Sequence, residues 1–456
     1  SHDQGEEPSD INYWFQFNSD VWTRRNNTAG TFTSADRPAN QNPQPVGMGH
    51  NYAYARVHRK ATGLAETVNL LFLKSEFGTG SNFQLINGVS SFSSLNFGPT
   101  DLALTMTSGV QWDLVDPNAV TADHPCMAVE IATLDDPSGN PTLLGRAPGW
   151  SNGTDLLVIS DNNKAQRNLH VYNGGPGGEA ASILSYAIIH NPSFYTRDIR
   201  ILVSPQKGAD VLKPKVSVRA GKGQGKNIMR GDTLILIGMK PCENRWLELS
   251  LSRPDEGMKS PQTVIFREMV GTLAVNGFTI GVQSGSSTEF AKQNLEHHEL
   301  AFDLLARRYN LEKASEQARR ALELLQSIRS ESDYRVFLDK NGVSSAKLIT
   351  EWLRGTGGDP FELATTADDF ITGINGGNWS KTQITHANLS RKLLAYLSYL
   401  DKQNGDVADI LQTIRWQRDL MLRSPVFKGA QNVQKSISNA DRFIEDYGKV
   451  KRTNKD

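Results

Sequence analysis

DHPCMAVEIATLDD at residues 123–136 and DLLVISDNNKAQRNLHVYN at 155–173 decide how this chain is read. In the first stretch Met127, Val129 and Ile131 alternate against Ala128 and Glu130; in the second, Leu169 and Val171 alternate against His170. A period of two marks half-buried strands. Between them, Ser160, Asp161, Asn162 and Asn163 supply turn residues whose side chains bond their own backbone. The spacing predicts the closing strand pair of an antiparallel sandwich. Such an architecture hosts many chemistries and prescribes none.

Working towards the N-terminus, the same period recurs. Tyr52, Tyr54, Arg56 and His58 share one face of NYAYARVH, with Ala53, Ala55 and Val57 on the other. That stripe is either an exposed binding face or a packed one. Val68, Leu70 and Phe72 line one side of ETVNLLFLKS, and Leu102, Leu104 and Met106 alternate further on. An aperiodic Asn/Pro/Gly-rich loop occupies 24–49, long enough to suggest a functional or mobile segment. Residues 1–18, with Tyr13, Trp14, Phe15 and Phe17, form an N-terminal segment that is either a first strand or a plug over a sheet edge. Residues 19–173 are expected to make one sandwich.

Working towards the C-terminus, GGPG at 174–177 reads as a linker. ASILSYAIIH, RDIRILVSP, KVSVRAG, GDTLILIGMKP, RWLELSLSRP and TVIFREMVG then recur at about ten-residue spacing and predict a second antiparallel sandwich over 178–284. Near 285 the period lengthens. Leu295, Phe302, Leu305 and Tyr309, then Leu322, Leu325 and Ile328, fall at helical spacing in a segment read as one run over 288–330. Later segments repeat the pattern to 456, with Ser345, Thr366 and Thr385 placed near helix starts and Gly355 and Gly373 near stops. An all-α bundle of five to seven helices is expected.

The succession DVW, NYAYARVHRKAT, TVNLLFLKS, HPCMAVEIA and SDNNKAQRNLHVYN, within about residues 20–173, resembles the bacterial Ig-like modules of the CARDB type, a cell-adhesion-related domain. GDTLILIGMKPCENRWLELSL resembles the outer hairpin of a second bacterial Ig-like module. The resemblance implies two Ig-like β-sandwiches ahead of the bundle and an extracellular setting. Such modules stand beside proteases, glycosidases and adhesins, so no catalytic residue is carried over. The long loops after Trp22 and Phe77 depart from the compact form.

Composition narrows the function classes. Lys plus Arg equals Asp plus Glu, 49 of each in 456 residues, so no global field steers the chain to nucleic acid. No apolar run reaches the roughly 20 residues of a membrane span, and the polar start SHDQGEEPSD reads as no signal peptide. Cys126 and Cys242 exclude a disulfide framework and a multi-cysteine zinc site; two such thiols fit the cytosol or a bacterial exterior, and the resemblance tips the expectation to the exterior or cell surface.

Few motifs carry chemistry. His297, His298 and Glu299 are the candidate metal cluster, yet a zincin needs two histidines one turn apart, and consecutive ones diverge by about 100 degrees. A solvated cluster in a first helical turn is the expectation there. GKGQGK at 221–226 lacks the P-loop spacing and reads as a basic hairpin tip. Trp379 follows GINGGN and is a candidate partner contact if exposed. No cofactor is predicted.

The sequence therefore points to a non-enzymatic modular bacterial protein acting through a protein partner or self-association, or through surface binding. The alternative is the accessory, non-catalytic portion of a secreted hydrolase. A third reading makes the helical domain itself an enzyme with a site assembled from scattered residues, to be brought forward by a metal analysis together with a cleft containing convergent carboxylates or His298 and His386.

Overall fold

The computed structural model describes residues 20–29, 41–59, 64–75, 84–87, 91–113, 126–133, 164–168, 171–174, 182–190, 196–205, 216–220, 227–230, 232–240, 243–252, 262–270 and 273–403. The aromatic cluster at 13–17, the loop 221–226, Cys242 and the last helical segments after 403 lie outside the described residues.

The first β-region contains β1 (Val21–Arg24), β2 (Asn51–His58), β3 (Glu66–Ser75), β4 (Gln84–Leu85), β5 (Phe92–Phe97), β6 (Ala103–Thr105), β7 (Val110–Trp112), β8 (Cys126–Ala132) and β9 (Lys164–Asn168). One sheet runs β1-β2-β6 with β7 also on β2; the other runs β4-β3-β8-β9 with β5 also on β3. β8 and β9 are antiparallel, with Met127 opposite Arg167, but the pair is not the expected one: Leu169 and His170 lie outside the described residues, and Val171 belongs to a separate strand, opposite Gly281. The expected half-buried character does not hold for β8. Met127, Ala128, Val129 and Glu130 are all buried, because β8 is paired on both sides, by β3 and β9, and covered on both faces.

The second β-region contains β10 (Val171–Gly174), β11 (Ser182–His190), β12 (Arg197–Pro205), β13 (Val216–Ala220), β14 (Asn227–Arg230), β15 (Thr233–Met239), β16 (Asn244–Ser252), β17 (Gln262–Val270) and β18 (Leu273–Ser284). A six-stranded sheet, β10-β18-β17-β12-β15-β14, and a three-stranded sheet, β11-β16-β13, share an apolar core. Ala187, Ile189, Leu247 and Leu249 from the small sheet meet Ile199, Ile201, Leu234, Leu236, Phe266 and Ile280 from the large one. All pairings are antiparallel except β10 on β18. The chain thus leaves the first region at β9 and joins the second region's sheet at β10. β13 and β14 sit in different sheets.

Five helices follow among the described residues: α1 (Ser287–Tyr309), α2 (Glu312–Ser327), α3 (Glu331–Leu353), α4 (Leu363–Asn375) and α5 (Trp379–Gln403). The expected change of period near 285 coincides with the end of β18 and a capping box. Glu289 N donates to Ser286 Oγ at 3.2 Å, and Ser286 N donates to Glu289 Oε2 at 2.7 Å. The run expected over 288–330 is broken at Asn310, whose φ of 53° turns the chain between α1 and α2.

Thr366 falls in the first turn of α4, near its start as expected, whereas two other expected starts are corrected: Ser345 lies inside α3 and Thr385 inside α5. Thr366 and Thr385 satisfy their hydroxyls on the carbonyls of Glu362 and Lys381, and Ser345 donates to Gln317 Oε1 at 2.9 Å. The true caps come from elsewhere: the Asp359 carboxylate accepts from Leu363 N and Ala364 N, both at 2.8 Å, and Asn378 Oδ1 from Lys381 N at 3.1 Å. Gly355 follows the end of α3 as expected. Gly373 lies near the stop of α4 at Asn375, as expected, and is also a close approach, where a Cβ would meet Thr382 Oγ1 at 2.9 Å.

Helix α1 is the axis of the bundle. It packs on α2 and α5, and β10 lies against it. α3 packs on α4 and α4 on α5, while α5 also rests on β11. The core containing Trp22, Phe72 and Trp112 of the first region is continuous with Tyr186, Trp246 and the helices. No described helix is long and apolar enough to cross a membrane.

Candidate functional site

The buried residues of α1 include polar ones. Asn294 and His298, one turn apart, are both buried, and His298 falls in step with Leu295 and Phe302. α5 brings His386 to the same place, and α3 brings Tyr334. His298 Nδ1 and His386 Nε2 are 2.9 Å apart, and Tyr334 Oη is 2.6 Å from His386 Nδ1. Phe302 stacks on His298 at 4.3 Å between centroids, Phe337 meets it edge-on at 5.6 Å, and Phe370 tilts against His386 at 5.3 Å.

Electrostatics follow from this enclosure. Burial holds His298 down to about 3, and His386 lies well below the ordinary imidazole range through burial, His298 and Arg391. Burial raises the Tyr334 phenol, against the opposing pull of Asn294 and Arg391. All three groups are neutral at pH 7. They form a hydrogen-bonded line with no open face, since His298 and His386 are each only 1% exposed.

His297, His298 and Glu299 are therefore not a solvated first-turn cluster. They lie in the middle of α1, all three buried, because α1 is covered on nearly every side. His298 turns to His386, while its neighbours point about 100 degrees to either side. Glu299 is pushed up to about 8, first by burial and then by Asp303 and Glu296, against the opposing pull of Arg307. Among the described residues no group of three His, Cys, Asp or Glu side chains is arranged to hold a metal ion. His298 with His386 is the convergence on which the reading of a site within the helices depended. Tyr334 and Asn294 complete the cluster without appearing among the sequence candidates; the available signal is a polar residue at an apolar-stripe position of an amphipathic helix.

The β2 stripe separates into three roles. Tyr54 is core, stacked on Trp22 at 5.6 Å and 13° and donating to Asn27 Oδ1 at 2.9 Å. Tyr52 is half-buried against the same core. Arg56 and His58 both reach Asp20 Oδ1, at 3.0 and 3.2 Å. Burial pushes the Asp20 carboxyl up, but hydrogen bonds from His58 and Arg56 outweigh it and hold it at about 2. His58 keeps 47% of its side chain exposed. Trp379 is half-buried, edge-on to Tyr334 at 5.7 Å, beneath the Arg335 guanidinium, with its indole N–H donating to Glu331.

Two seams join the helices to the β-regions. At the first, Arg25 Nη2 pairs with Glu296 Oε1 at 3.2 Å, Gln326 Nε2 donates to Gly47 O at 3.3 Å, and a Cβ on Gly47 would strike Leu322 Cδ2 at 2.2 Å. At the second, Trp246 of β16 stacks on Phe361 at 4.0 Å and 17°, and Phe361 continues to Tyr396 at 5.5 Å. Tyr186 of β11 closes the pile and donates to Glu248 Oε2 at 3.1 Å.

No protein-family model matches the chain, and no curated protein matches it significantly. Among solved structures, the crystal structure of collagen adhesin (CNA) from S. aureus is similar at 11% identity, covering 59% of this chain and 94% of that one, with a TM-score of 0.16. A likeness that slight carries no argument about fold or function.

Proposed function

We propose that this chain is a non-enzymatic scaffold that works in protein–protein assembly or surface binding. The observation that carries the reading is the sealing of the convergent polar cluster: His298, His386 and Tyr334 are enclosed and bonded to one another, whereas a catalytic trio needs a face open to substrate. Two seams make the β-regions and the bundle a connected support. β14 lies at one end of the six-stranded sheet and, among the described residues, pairs only with β15, which suits strand addition by a protein partner or a second copy.

The finer reading of the β-regions as Ig-like modules, the first of the CARDB type, draws support from the strand motifs and from the two-layer core of the second region. A bacterial exterior or cell surface follows from that resemblance. Sedimentation of the purified chain over a wide concentration range, with cross-linking, tests the proposal. Concentration-dependent assembly is expected; a strict monomer that turns over a substrate overturns it. The accessory-portion alternative shares the non-catalytic reading and is separated from it by whether binding activity persists without a neighbouring hydrolase domain.

A further inference from the structure

Two directly bonded imidazoles in a sealed core contribute nothing to assembly as such. Only one proton fits between His298 Nδ1 and His386 Nε2, because one nitrogen must donate and the other accept. If Tyr334 donates to His386 Nδ1, His386 donates to His298, and the N–H at His298 Nε2 is left without an acceptor. If the order is reversed, that same Nε2 holds an unused lone pair. A second proton then has two destinations. It either sets N–H against N–H between the rings, or creates a cation at His298 Nε2 among Phe302 and Phe337, with no counter-charge among the described residues.

The surroundings offer no relief. On α1, His297 and Glu299 flank His298 in sequence and point away from the pair. On α3 the facing group is the neutral Tyr334, and on α4 it is Phe370. On α5, the Arg391 cation opposes a second positive charge at His386. α2, packed along α1, supplies none of the charges acting on either ring among the described residues.

We propose that the His298–His386 pair is an acid-operated release for α1: protonating it parts α1 from α3 and α5 and uncovers the aromatic lining of the bundle, while the second β-region keeps its fold. The apolar side chains that meet between the two sheets of the second region offer acid nothing to charge, and its buried carboxylate among the described residues, Glu248, lies outside that cluster, beside Tyr186.

The sign follows from proton counting. His298 is held near 3 against an ordinary 6.5, so between those limits the folded chain binds fewer protons than the opened one. The stabilisation is complete above about pH 6.5 and is lost as pH falls toward about 3. The acid-sensitive contact at Asp20 titrates in a lower window, between 3.8 and about 2, and lies in the first β-region.

Amide exchange followed peptide by peptide in the full chain, from about pH 7.5 downward and corrected for intrinsic rates, tests this. Peptides of α1 and α5 are expected to lose protection before those of β12, β15 and β17, with apolar-dye binding rising in step. His386→Gln, which keeps a neutral hydrogen-bonding group, is expected to move the opening to lower pH and to make it shallower, one imidazole fewer being titrated. Protection of α1 that persists until the strands of the second region open overturns the proposal, as does an unchanged profile in a folded His386→Gln variant. Should that variant not fold, the order of opening in the unaltered chain decides alone.

Discussion

The core of the second β-region and the core of the helical bundle solve the same problem with different materials. Ile199, Ile201, Leu234, Leu236, Leu247, Phe266 and Ile280 close the first with apolar side chains, its buried charged groups Arg245 and Glu248 lying outside that cluster. The second admits Asn294, His298, Gln383 and His386 among its leucines and phenylalanines. An apolar core is insensitive to pH, whereas one built on neutral imidazoles and a protonated carboxyl holds only while those groups stay uncharged. Stability in this chain is thus uneven, and the seams decide whether the unevenness shows as separate transitions.

The largest expected effect comes from the seam itself. Trp246→Ala removes the indole stacked on Phe361 and empties the space between β16 and the helices. The loss is about 3–5 kcal/mol, as for other buried aromatics cut to alanine. Denaturant unfolding followed by far-UV and near-UV signals is expected to split into two transitions in the variant, bundle first. Coincident transitions with unchanged midpoints break the comparison, for they mean that the two cores never depended on this contact.

A smaller effect, visible only in one pH range, comes from Glu299. Its carboxyl is pushed up to about 8 against an ordinary 4.5, so the folded state binds the extra proton between those values. Its contribution is complete below about 4.5 and is lost as pH rises through about 8. Glu299→Gln fixes the neutral form. The variant is expected to match the parent near pH 5 and to exceed it by up to about 4 kcal/mol near pH 8, since each pH unit across that interval weakens the parent by about 1.4 kcal/mol at most. Melting temperature measured against pH reads this directly. Parallel curves show that Glu299 ionises freely and that the bundle core is less closed than its burial implies.

The two cores also differ in how far the sequence reveals them. Alternation such as Ile199, Ile201 and Leu234, Leu236 announces a strand and its buried face together, because in an apolar layer the periodicity is the packing. β8 escapes that logic: Glu130 alternates with apolar residues as a solvent-facing residue would, yet it is buried, since burial of the second face depends on what the rest of the chain lays over it. In the bundle the polar cluster is half legible. His298 falls in step with Leu295 and Phe302 and so marks a core position, but His386 is 88 residues away and Tyr334 sits on a different helix again, so only the packing of the helices brings the three together. In the sequence β10 reads as the end of the first sandwich, and its parallel pairing with β18 is a long-range choice that no local pattern records.

The smallest expected effect tests the joint where period two gives way to the helical period. Ser286 and Glu289 cap each other's backbone N–H groups at the start of α1, just after β18 ends. Ser286→Ala removes one of the two bonds and is expected to cost about 1 kcal/mol, the usual value of an N-cap hydroxyl. Because α1 is the axis of the bundle, that cost should fall on the bundle and leave the second β-region untouched. Amide exchange at neutral pH distinguishes the two: faster exchange confined to the first turns of α1 and to α5 places the cap within the weaker core. An equal loss in β17 and β18 makes strand and helix one cooperative unit, and the contrast between the cores then describes composition and not behaviour.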